Sequence, residues 1–372
     1  MKKRMIVIIG IVVVVIALGI VSYFKFLYWP DEPTSTPPIV DAQGNPIPGS
    51  IASLETIDVN GVEQWILIRG HDTSKPVILF LHGGPGGANI VWRELFISEE
   101  LEKNFVVVLW DQRGAGKSFS KDLTKEEMRP DKFVKDTIAL TNHLRDRFRQ
   151  DKIFLLGHSW GSALGFLTII KHPEYPQLYH AYIAAAEAAD WNRRQNISYE
   201  WTLDRARENN NNKAVNALEK LEPFDPTDVK HIGVKNRWLS EFGGEYNLRN
   251  EELAQKYEDF LIKGQGPEYS RADAKKWIQG SAWSAKTIDI EAAKSGYNLF
   301  RDLPEVRIPL FFFTGLYDYQ TPGLLTEEYY NFVKAPQKGF IWFEKSAHLL
   351  IFEEPDRMAR ELIKIADVTL NN

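Results

Sequence analysis

The chain contains no cysteine among its 372 residues. This absence excludes a disulfide framework, a thiol nucleophile, a thiolate metal site and lipid attachment through a lipobox cysteine. The eight histidines are scattered without the spacing of metal ligands, and the motif His-Glu-x-x-His does not occur. We therefore expect no metal site and no cofactor.

An excess of basic residues is also lacking. The 45 lysines and arginines are outnumbered by 50 aspartates and glutamates, which gives a net charge of −5 and an isoelectric point near 6.0. A protein that binds nucleic acid needs a basic surface to meet the phosphate backbone. The composition therefore gives no reason to expect nucleic acid as a partner.

The sequence lacks a complete P-loop, although residues 114–118 read Gly-Ala-Gly-Lys-Ser. A P-loop has a further glycine, separated from Gly-Lys-Ser by four residues, and that position is Asp111. Nucleotide binding is therefore rejected. We expect Asp111 and Arg113 to belong to a structural charge network, and the alternative role for Asp111 is that of a catalytic acid.

The N-terminal segment predicts a membrane anchor. Met1-Lys2-Lys3-Arg4 precedes an uncharged, apolar run over residues 5–24, which is long enough to span a bilayer. The basic residues before the run predict a cytoplasmic N-terminus, with the remainder of the chain outside the cell membrane. The alternative is a cleaved signal peptide with a poor site at Ala17 and Gly19. Residues 1–29 would form the anchor, and the proline-rich residues 30–50 would form a stiff linker.

The remainder of the chain predicts an α/β fold. Continuous apolar runs such as residues 77–81, 105–110 and 308–313 are typical of strands buried on both faces of a parallel sheet, and helical stretches separate them. Asn60-Gly61 between two earlier runs predicts a hairpin. Residues 190–300 contain no convincing strand and predict an inserted helical cap. The core would then comprise residues 51–189 and 301–372.

The nucleophile is predicted at Ser159, within Gly157-His158-Ser159-Trp160-Gly161. An apolar run ends at Gly157 and a helical segment follows, so Ser159 lies at a strand–turn–helix junction of the Gly-x-Ser-x-Gly type. The glycines are needed because neighbouring backbone passes within contact distance of such a turn. The amide of Trp160 would then stabilise a developing oxyanion.

A serine nucleophile needs a base, and the base needs an orienting carboxylate. In an α/β-hydrolase these residues follow the serine in the order acid, then histidine, on loops after later strands. Asp318 follows the phenylalanine-rich strand, and His348 follows the last strand. The predicted triad is therefore Ser159, Asp318 and His348. For the second oxyanion donor we prefer the amide of Gly84, and that of Gly83 is the alternative.

Three motifs resemble those of the proline iminopeptidases, a family of α/β-hydrolases. They are His82-Gly-Gly-Pro-Gly, Asp111-Gln-Arg-Gly-Ala-Gly-Lys-Ser and Gly157-His-Ser-Trp-Gly-Ser, and the similarity covers residues 51–190 and 305–365. The resemblance implies an α/β-hydrolase fold, with a mostly parallel central sheet flanked by helices and an inserted cap. It also implies a prolyl-aminopeptidase-like serine hydrolase that uses this triad. His158 departs from the family pattern, which often has glycine there.

The resemblance further implies that glutamates of the cap bind the free amine of the substrate. By composition alone, the candidates are Glu187, Glu200, Glu241 and Glu245. We expect a short peptide or another small molecule as substrate. A carboxylesterase or lactonase acting on small acyl substrates would share the triad and stays open as the alternative. A non-catalytic binding protein on this fold would be expected to have lost a triad residue, and none is missing.

Overall fold

In the computed structural model, residues 34–247 and 266–371 are described, apart from the side chains of residues 289–295. The strands in these ranges are β1 (Ile51–Val59), β2 (Val62–Gly70), β3 (Val77–Leu81), β4 (Val106–Asp111), β5 (Ile153–His158), β6 (Tyr179–Ala185), β7 (Leu310–Gly315) and β8 (Lys338–Phe343). They form one sheet in the order β1-β2-β4-β3-β5-β6-β7-β8. Strand β2 is antiparallel to β1 and β4, and the other neighbours are parallel.

From β3 onward, at least one described helix lies between each strand and the next. They are α1 (Arg93–Phe96), α2 (Glu99–Asn104), α3 (Pro130–Phe148), α4 (Trp160–Lys171), α5 (Trp191–Glu208), α6 (Asn212–Glu219), α7 (Val229–Glu241), α8 (Arg271–Ser295), α9 (Leu299–Asp302), α10 (Gly323–Phe332), α11 (Leu350–Glu353) and α12 (Pro355–Leu370). The predicted mostly parallel sheet with flanking helices is therefore confirmed.

Helices cover both faces of the sheet because the central strands are apolar on both sides. In β3, Leu79 packs into a cluster with Leu140 of α3 and Leu164 of α4, whereas Phe80 packs into a second cluster with Met358 of α12. Successive side chains of a strand point to opposite faces, so a continuous apolar run serves two cores. The apolar runs of the sequence thus fix the layered architecture.

The sheet begins with the predicted hairpin. Strands β1 and β2 pair directly up to Val59 and Val62, and the two residues between them have positive φ angles of 53° at Asn60 and 80° at Gly61. Such angles match the twist of the flanking strands, and asparagine and glycine tolerate them best. The antiparallel start of the sheet therefore follows from this dipeptide.

The insertion between β6 and β7 is helical in its described part and has a small core of its own. Tyr199 and Leu203 of α5 pack with Leu218 of α6 and Trp238 of α7. Trp201 instead stacks on Tyr319 of the sheet domain, with ring centroids 4.1 Å apart. The domain boundaries drawn from the sequence stay a prediction.

The predicted membrane anchor requires correction. Its apolar run, residues 5–24, lies outside the described residues, and within those residues no helix is long and apolar enough to cross a bilayer. An apolar run marks a span only where it forms such a helix. The predicted transmembrane segment, the membrane as a partner and the location at the cell membrane are therefore withdrawn.

A buried ion pair joins the sheet to α3. Arg113 donates to Asp136 through Nε and Nη2, at 2.5 and 2.7 Å, and Asp136 is fully buried. The same carboxylate accepts hydrogen bonds from Asn60 and Gln64 at 2.8 Å. Asp111, by contrast, accepts from backbone amides and from Tyr269, and burial raises its pKa. Asp111 and Arg113 thus have separate structural partners.

Removing Asp136 should test the first of these networks. We expect Asp136→Ala to lower the free energy of unfolding by about 3–5 kcal/mol, because the guanidinium of Arg113 would stay buried without its counter-ion. Urea unfolding would show the loss as a lower midpoint. The matched control is Glu208→Ala, which breaks an exposed pair with Arg205 and should cost less than about 1 kcal/mol. Equal midpoints for the two variants would contradict the stabilising role of the buried ion pair between Arg113 and Asp136.

Candidate active site

Ser159 occupies a sharp turn between β5 and α4. Its φ of 56° and ψ of −118° fall in a region that residues with side chains rarely adopt. A Cβ at Gly157 would collide with the carbonyl oxygen of Gly161, and a Cβ at Gly161 would collide with that of Leu81. Both glycines are therefore required by close backbone packing, as the sequence motif predicts.

The structure brings the three predicted catalytic residues together at the carboxyl edge of the sheet. His348 Nε2 lies 2.9 Å from Ser159 Oγ, and His348 Nδ1 lies 2.9 Å from Asp318 Oδ2. Asp318 and His348 are buried, with 2% and 6% exposure. The hydrogen-bonded chain serine–histidine–aspartate has the geometry of a base that is oriented by a carboxylate.

Two further residues hold this chain in place, and the sequence patterns did not identify their roles. Thr321 donates to Asp318 from its amide at 2.7 Å and from its hydroxyl at 2.6 Å. His158 Nε2 lies 2.8 Å from the carbonyl oxygen of His348, so this nitrogen carries the hydrogen. Burial lowers the pKa of His158 to about 3, which keeps its ring neutral. The histidine that replaces the more usual glycine thus supports the loop of His348.

The predicted oxyanion donors lie beside the serine. Trp160 is the first residue of α4, where amides have no acceptor within the helix. Gly84 has a φ of 117°, and a Cβ there would lie 2.6 Å from the amide nitrogen of Gly87. A Cβ at Gly83 would lie 3.1 Å from the Cβ of Ser159. The glycine loop therefore passes close to the nucleophile, and both glycines stay candidates for the second donor.

Two cavities meet at Ser159. The first, of about 550 Å³, extends beneath α5 and is lined by Trp191, Arg194, Gln195, Asn236, Glu245 and Tyr297, among others. The second, of about 620 Å³, is mainly apolar and is lined by Trp92, Trp277, Leu349 and Phe352 together with Glu245 and His348. These volumes are typical of sites for small ligands.

Only one of the four glutamates proposed from composition lines these two cavities. Glu245 borders both of them. Glu200 and Glu241 are exposed and line neither cavity. Their prediction as substrate-binding residues is therefore corrected, because their positions on α5 and α7 turn them to the surface.

The prediction that Glu187 binds the substrate is also corrected, but for a different reason. It is buried after β6, and burial raises its pKa. Its carboxylate already accepts hydrogen bonds from the amides of Ala188 and Ala189, at 2.8 and 2.9 Å, from the hydroxyl of Tyr297 at 2.9 Å and from the hydroxyl of Ser162. With its oxygens used in this way, Glu187 links α4 to the insertion and does not offer a free carboxylate to an amine.

Comparison with known proteins identifies the family of this chain. The family model for the alpha/beta hydrolase fold matches residues 76–355. The chain belongs to the α/β-hydrolase family. It is 30% identical over 322 residues to a protein of Bacillus subtilis named a probable aminopeptidase, covering 85% of this chain and 97% of that protein. It is 25% identical over 317 residues to the proline iminopeptidase of Heyndrickxia coagulans, covering 83% and 93%.

A solved structure agrees on the fold. The chain resembles the crystal structure of the proline iminopeptidase of Mycobacterium smegmatis, with a TM-score of 0.62 and 17% identity over 86% of this chain and 99% of that one. The predicted resemblance to proline iminopeptidases is thus confirmed, and the protein is a hydrolase of the α/β-hydrolase type. At this identity, the structural match establishes the fold alone.

Glu353 couples the loop of His348 to the insertion. Its carboxylate accepts from the amide of Ala347 at 2.5 Å and from the amide of Asn247 at 2.8 Å. Burial is the largest influence on this group and raises its pKa from the ordinary 4.5 to about 7. The folded protein therefore retains a proton between these pH values that the unfolded chain has lost.

This difference predicts a pH-dependent stability. The free energy of unfolding should fall as the pH rises from about 4.5 to about 7, by an amount on the order of 3 kcal/mol. Glu353→Gln should lack this component, because it cannot ionise, and should gain stability relative to wild type as the pH rises to 8. Urea unfolding across this range measures the difference, with the exposed Glu344→Gln as control. Parallel profiles for wild type and Glu353→Gln would contradict the prediction.

Proposed function

We propose that the protein is an aminopeptidase that releases an unblocked N-terminal residue from a small peptide through Ser159, His348 and Asp318. The observation that carries the proposal is the hydrogen-bonded chain of these residues at the junction of the two cavities. The similarity to proteins named aminopeptidases supports the choice of an amide bond as the target.

The chemistry is acyl transfer to water. His348 removes the proton of Ser159 as the serine Oγ attacks the carbonyl carbon of the substrate. The amide of Trp160 and that of Gly84 or Gly83 stabilise the resulting oxyanion. Asp318 holds the imidazole in the tautomer that presents a bare Nε2 to the serine. His348 then returns the proton to the leaving amine. A water then attacks the acyl carbonyl while His348 takes its proton, and the ring returns that proton to Ser159 Oγ as the ester bond breaks and the carboxylic acid leaves.

Glu245 is the proposed partner of the substrate ammonium. It borders both cavities, and its carboxylate accepts a hydrogen bond from Ser240. Its backbone oxygen accepts from the amide of His348 at 3.1 Å, which fixes its position relative to the base. A partly buried ammonium needs such a carboxylate, because removing the charge from water without a counter-ion is costly.

A carboxylesterase or lactonase is the second candidate. The observation in its favour is the aromatic second cavity, where Trp92, Trp277 and Phe352 would suit an uncharged acyl group. Hydrolysis of an ester with such an acyl group would use the same triad and the same oxyanion donors. It would not need Glu245, so that residue separates the two functions.

Substitution of the triad tests the mechanism. We expect Ser159→Ala and His348→Ala each to lower kcat by at least about 10⁴-fold, and the double variant to be hardly worse than either, because the two residues act in one step. Urea unfolding should show folded variants, and a fluorophosphonate probe should label wild type but not Ser159→Ala. The exposed Ser120→Ala serves as control. Near-normal turnover by Ser159→Ala would overturn the assignment of the nucleophile.

A pair of substrates tests the aminopeptidase function. Prolyl-p-nitroanilide should be hydrolysed much faster than its N-acetylated form, because only the free amine can be charged and bind Glu245. Glu245→Gln should raise KM for the free amine by roughly 10- to 100-fold, as expected for the loss of a charge-assisted hydrogen bond. The exposed Glu241→Gln is the matched control. A wild type that prefers the acetylated substrate, or does not distinguish the two, would favour the esterase.

A further inference from the structure

The glycine loop after β3, residues 83–87, is held by one face of a helix in the insertion. Ser281 of α8 donates from its hydroxyl to the carbonyl of Gly86 at 2.6 Å. Trp277, one turn earlier on the same helix, donates from its indole to the carbonyl of Gly87 at 3.1 Å. Residues four apart lie on the same face of a helix. This face of α8 therefore binds two successive carbonyls of the loop.

The helix and the loop are also in direct contact. A Cβ at Gly86 would lie 2.7 Å from the Cβ of Ser284 and 3.1 Å from the Cα of Ser281. From the core side, Trp92 donates to the carbonyl of Gly87 at 3.2 Å. With no room for a side chain between them, the position of α8 sets the position of this end of the loop.

The end of the loop is bonded back to its beginning. The amide of Gly87 donates to the carbonyl of Gly83 at 3.0 Å. The same carbonyl lies 2.8 Å from Nδ1 of His82, whose Nε2 accepts from the amide of Gln112 at 3.1 Å. Burial lowers the pKa of His82 to about 4 and keeps the ring neutral, so its one hydrogen lies on Nδ1 and is donated to Gly83. Two donors thus fix this carbonyl.

The fixed carbonyl determines where the next amide points. The bond between Gly83 and Gly84 is trans, and in a planar trans peptide group the carbonyl and the N–H point in opposite directions. The N–H of Gly84 therefore points away from the amide of Gly87, and it has no acceptor in the parts of the chain that the structure describes. Gly84 borders both cavities together with Ser159. A donor of this kind beside the nucleophile suits an oxyanion.

We propose that Ser281 and Trp277 position the oxyanion hole, because they hold the glycine loop in the form that directs the amide of Gly84 at the oxyanion. They act through the loop and not on the reacting atoms, so they are positioning residues. A donor held in advance stabilises developing charge without a further change of structure. The inference rests on the proposed acyl transfer at Ser159, but not on the identity of the leaving group.

Removal of a single hydroxyl tests this role. We expect Ser281→Ala to lower kcat for prolyl-p-nitroanilide by at least about 10-fold and to change KM by less than about two-fold, because the oxyanion develops only in the transition state. Complete loss of an oxyanion donor costs about 10²- to 10³-fold in kcat, which sets the upper limit. A rise in KM with an unchanged kcat would show contact with the substrate and would overturn the inference.

Ser284→Ala is the matched control. Ser284 is a buried residue of the same helix, and its hydroxyl donates to the carbonyl of Gly114 at 3.0 Å, in a loop that carries neither candidate oxyanion donor. Both variants lose one hydrogen bond between α8 and the core, so both should lower the urea midpoint by a similar small amount. Only Ser281→Ala should lower kcat. Equal kcat values for the two variants would contradict the positioning role.

Trp277→Phe provides a second variant that retains an aromatic ring and removes the donor to Gly87. Its loss of kcat should be smaller than that of Ser281→Ala, because Trp92 still donates to the same carbonyl. The variant with both changes should lose more than either alone. Should Ser281→Ala fail to fold, Trp277→Phe decides the matter, and a kcat equal to that of wild type would refute the proposal.

The rate of labelling by a fluorophosphonate separates failure of this inference from failure of the proposed function. As Ser159 Oγ displaces fluoride from phosphorus, the phosphoryl oxygen gains charge in the place of the oxyanion, and the probe needs neither an ammonium nor a peptide bond. We expect labelling of Ser281→Ala to be about 10-fold slower than that of wild type. If Ser159 of wild type is not labelled, the proposed function is refuted. If wild type and Ser281→Ala are labelled equally fast, only the positioning role is refuted.

Discussion

The structure depends on the close approach of four backbone segments around Ser159. There is no room for a Cβ at Gly157 or at Gly161. The start of α4 passes directly over the end of β5 and lies against the carbonyl of Leu81 in β3. This contact sets where the glycine loop after β3 runs, and that loop carries both candidate oxyanion donors. The strained φ and ψ of Ser159 follow from the same packing. The serine, the amide of Trp160 and the loop of Gly83 and Gly84 are thus positioned by one constraint.

The insertion takes part in the site and does not merely cover it. The carbonyl of Gly244 accepts from the amides of Tyr319 and Gln320, at 3.0 and 3.2 Å, and the carbonyl of Glu245 accepts from the amide of His348. On the other side, Ser281 and Ser284 of α8 donate to carbonyls of the two glycine loops, at Gly86 and Gly114. The loops of the candidate acid and base therefore share hydrogen bonds with the segment that carries Glu245. A displacement of this segment would disturb both substrate binding and the base.

Local patterns in the sequence were sufficient to predict the strands of the sheet and the three residues of the candidate triad. Each of them follows an apolar strand, so its position at the carboxyl edge is set by the chain itself. The glutamates could not be placed in this way, because a helical side chain faces the site or the solvent according to how the insertion packs. Gln195 and Arg194, which line the first cavity, were missed for a related reason. The buried face of α5 is largely polar, with Arg194, Gln195, Ser198 and Thr202 at helical spacing, and a search for apolar periodicity does not recognise such a face.

The contrast between the two cavities suggests where specificity resides. An oxyanion hole and a serine–histidine–aspartate chain act on esters and amides alike, so they do not select the substrate. The second cavity offers aromatic surface and would accept many apolar groups. Charge enters through Glu245, which borders both cavities at their junction. A neutral ester offers this carboxylate no positive charge, whereas an unblocked peptide offers its ammonium, and an ammonium removed from water needs such a counter-ion. Selection for peptides over esters would then arise from Glu245, outside the residues that perform the chemistry.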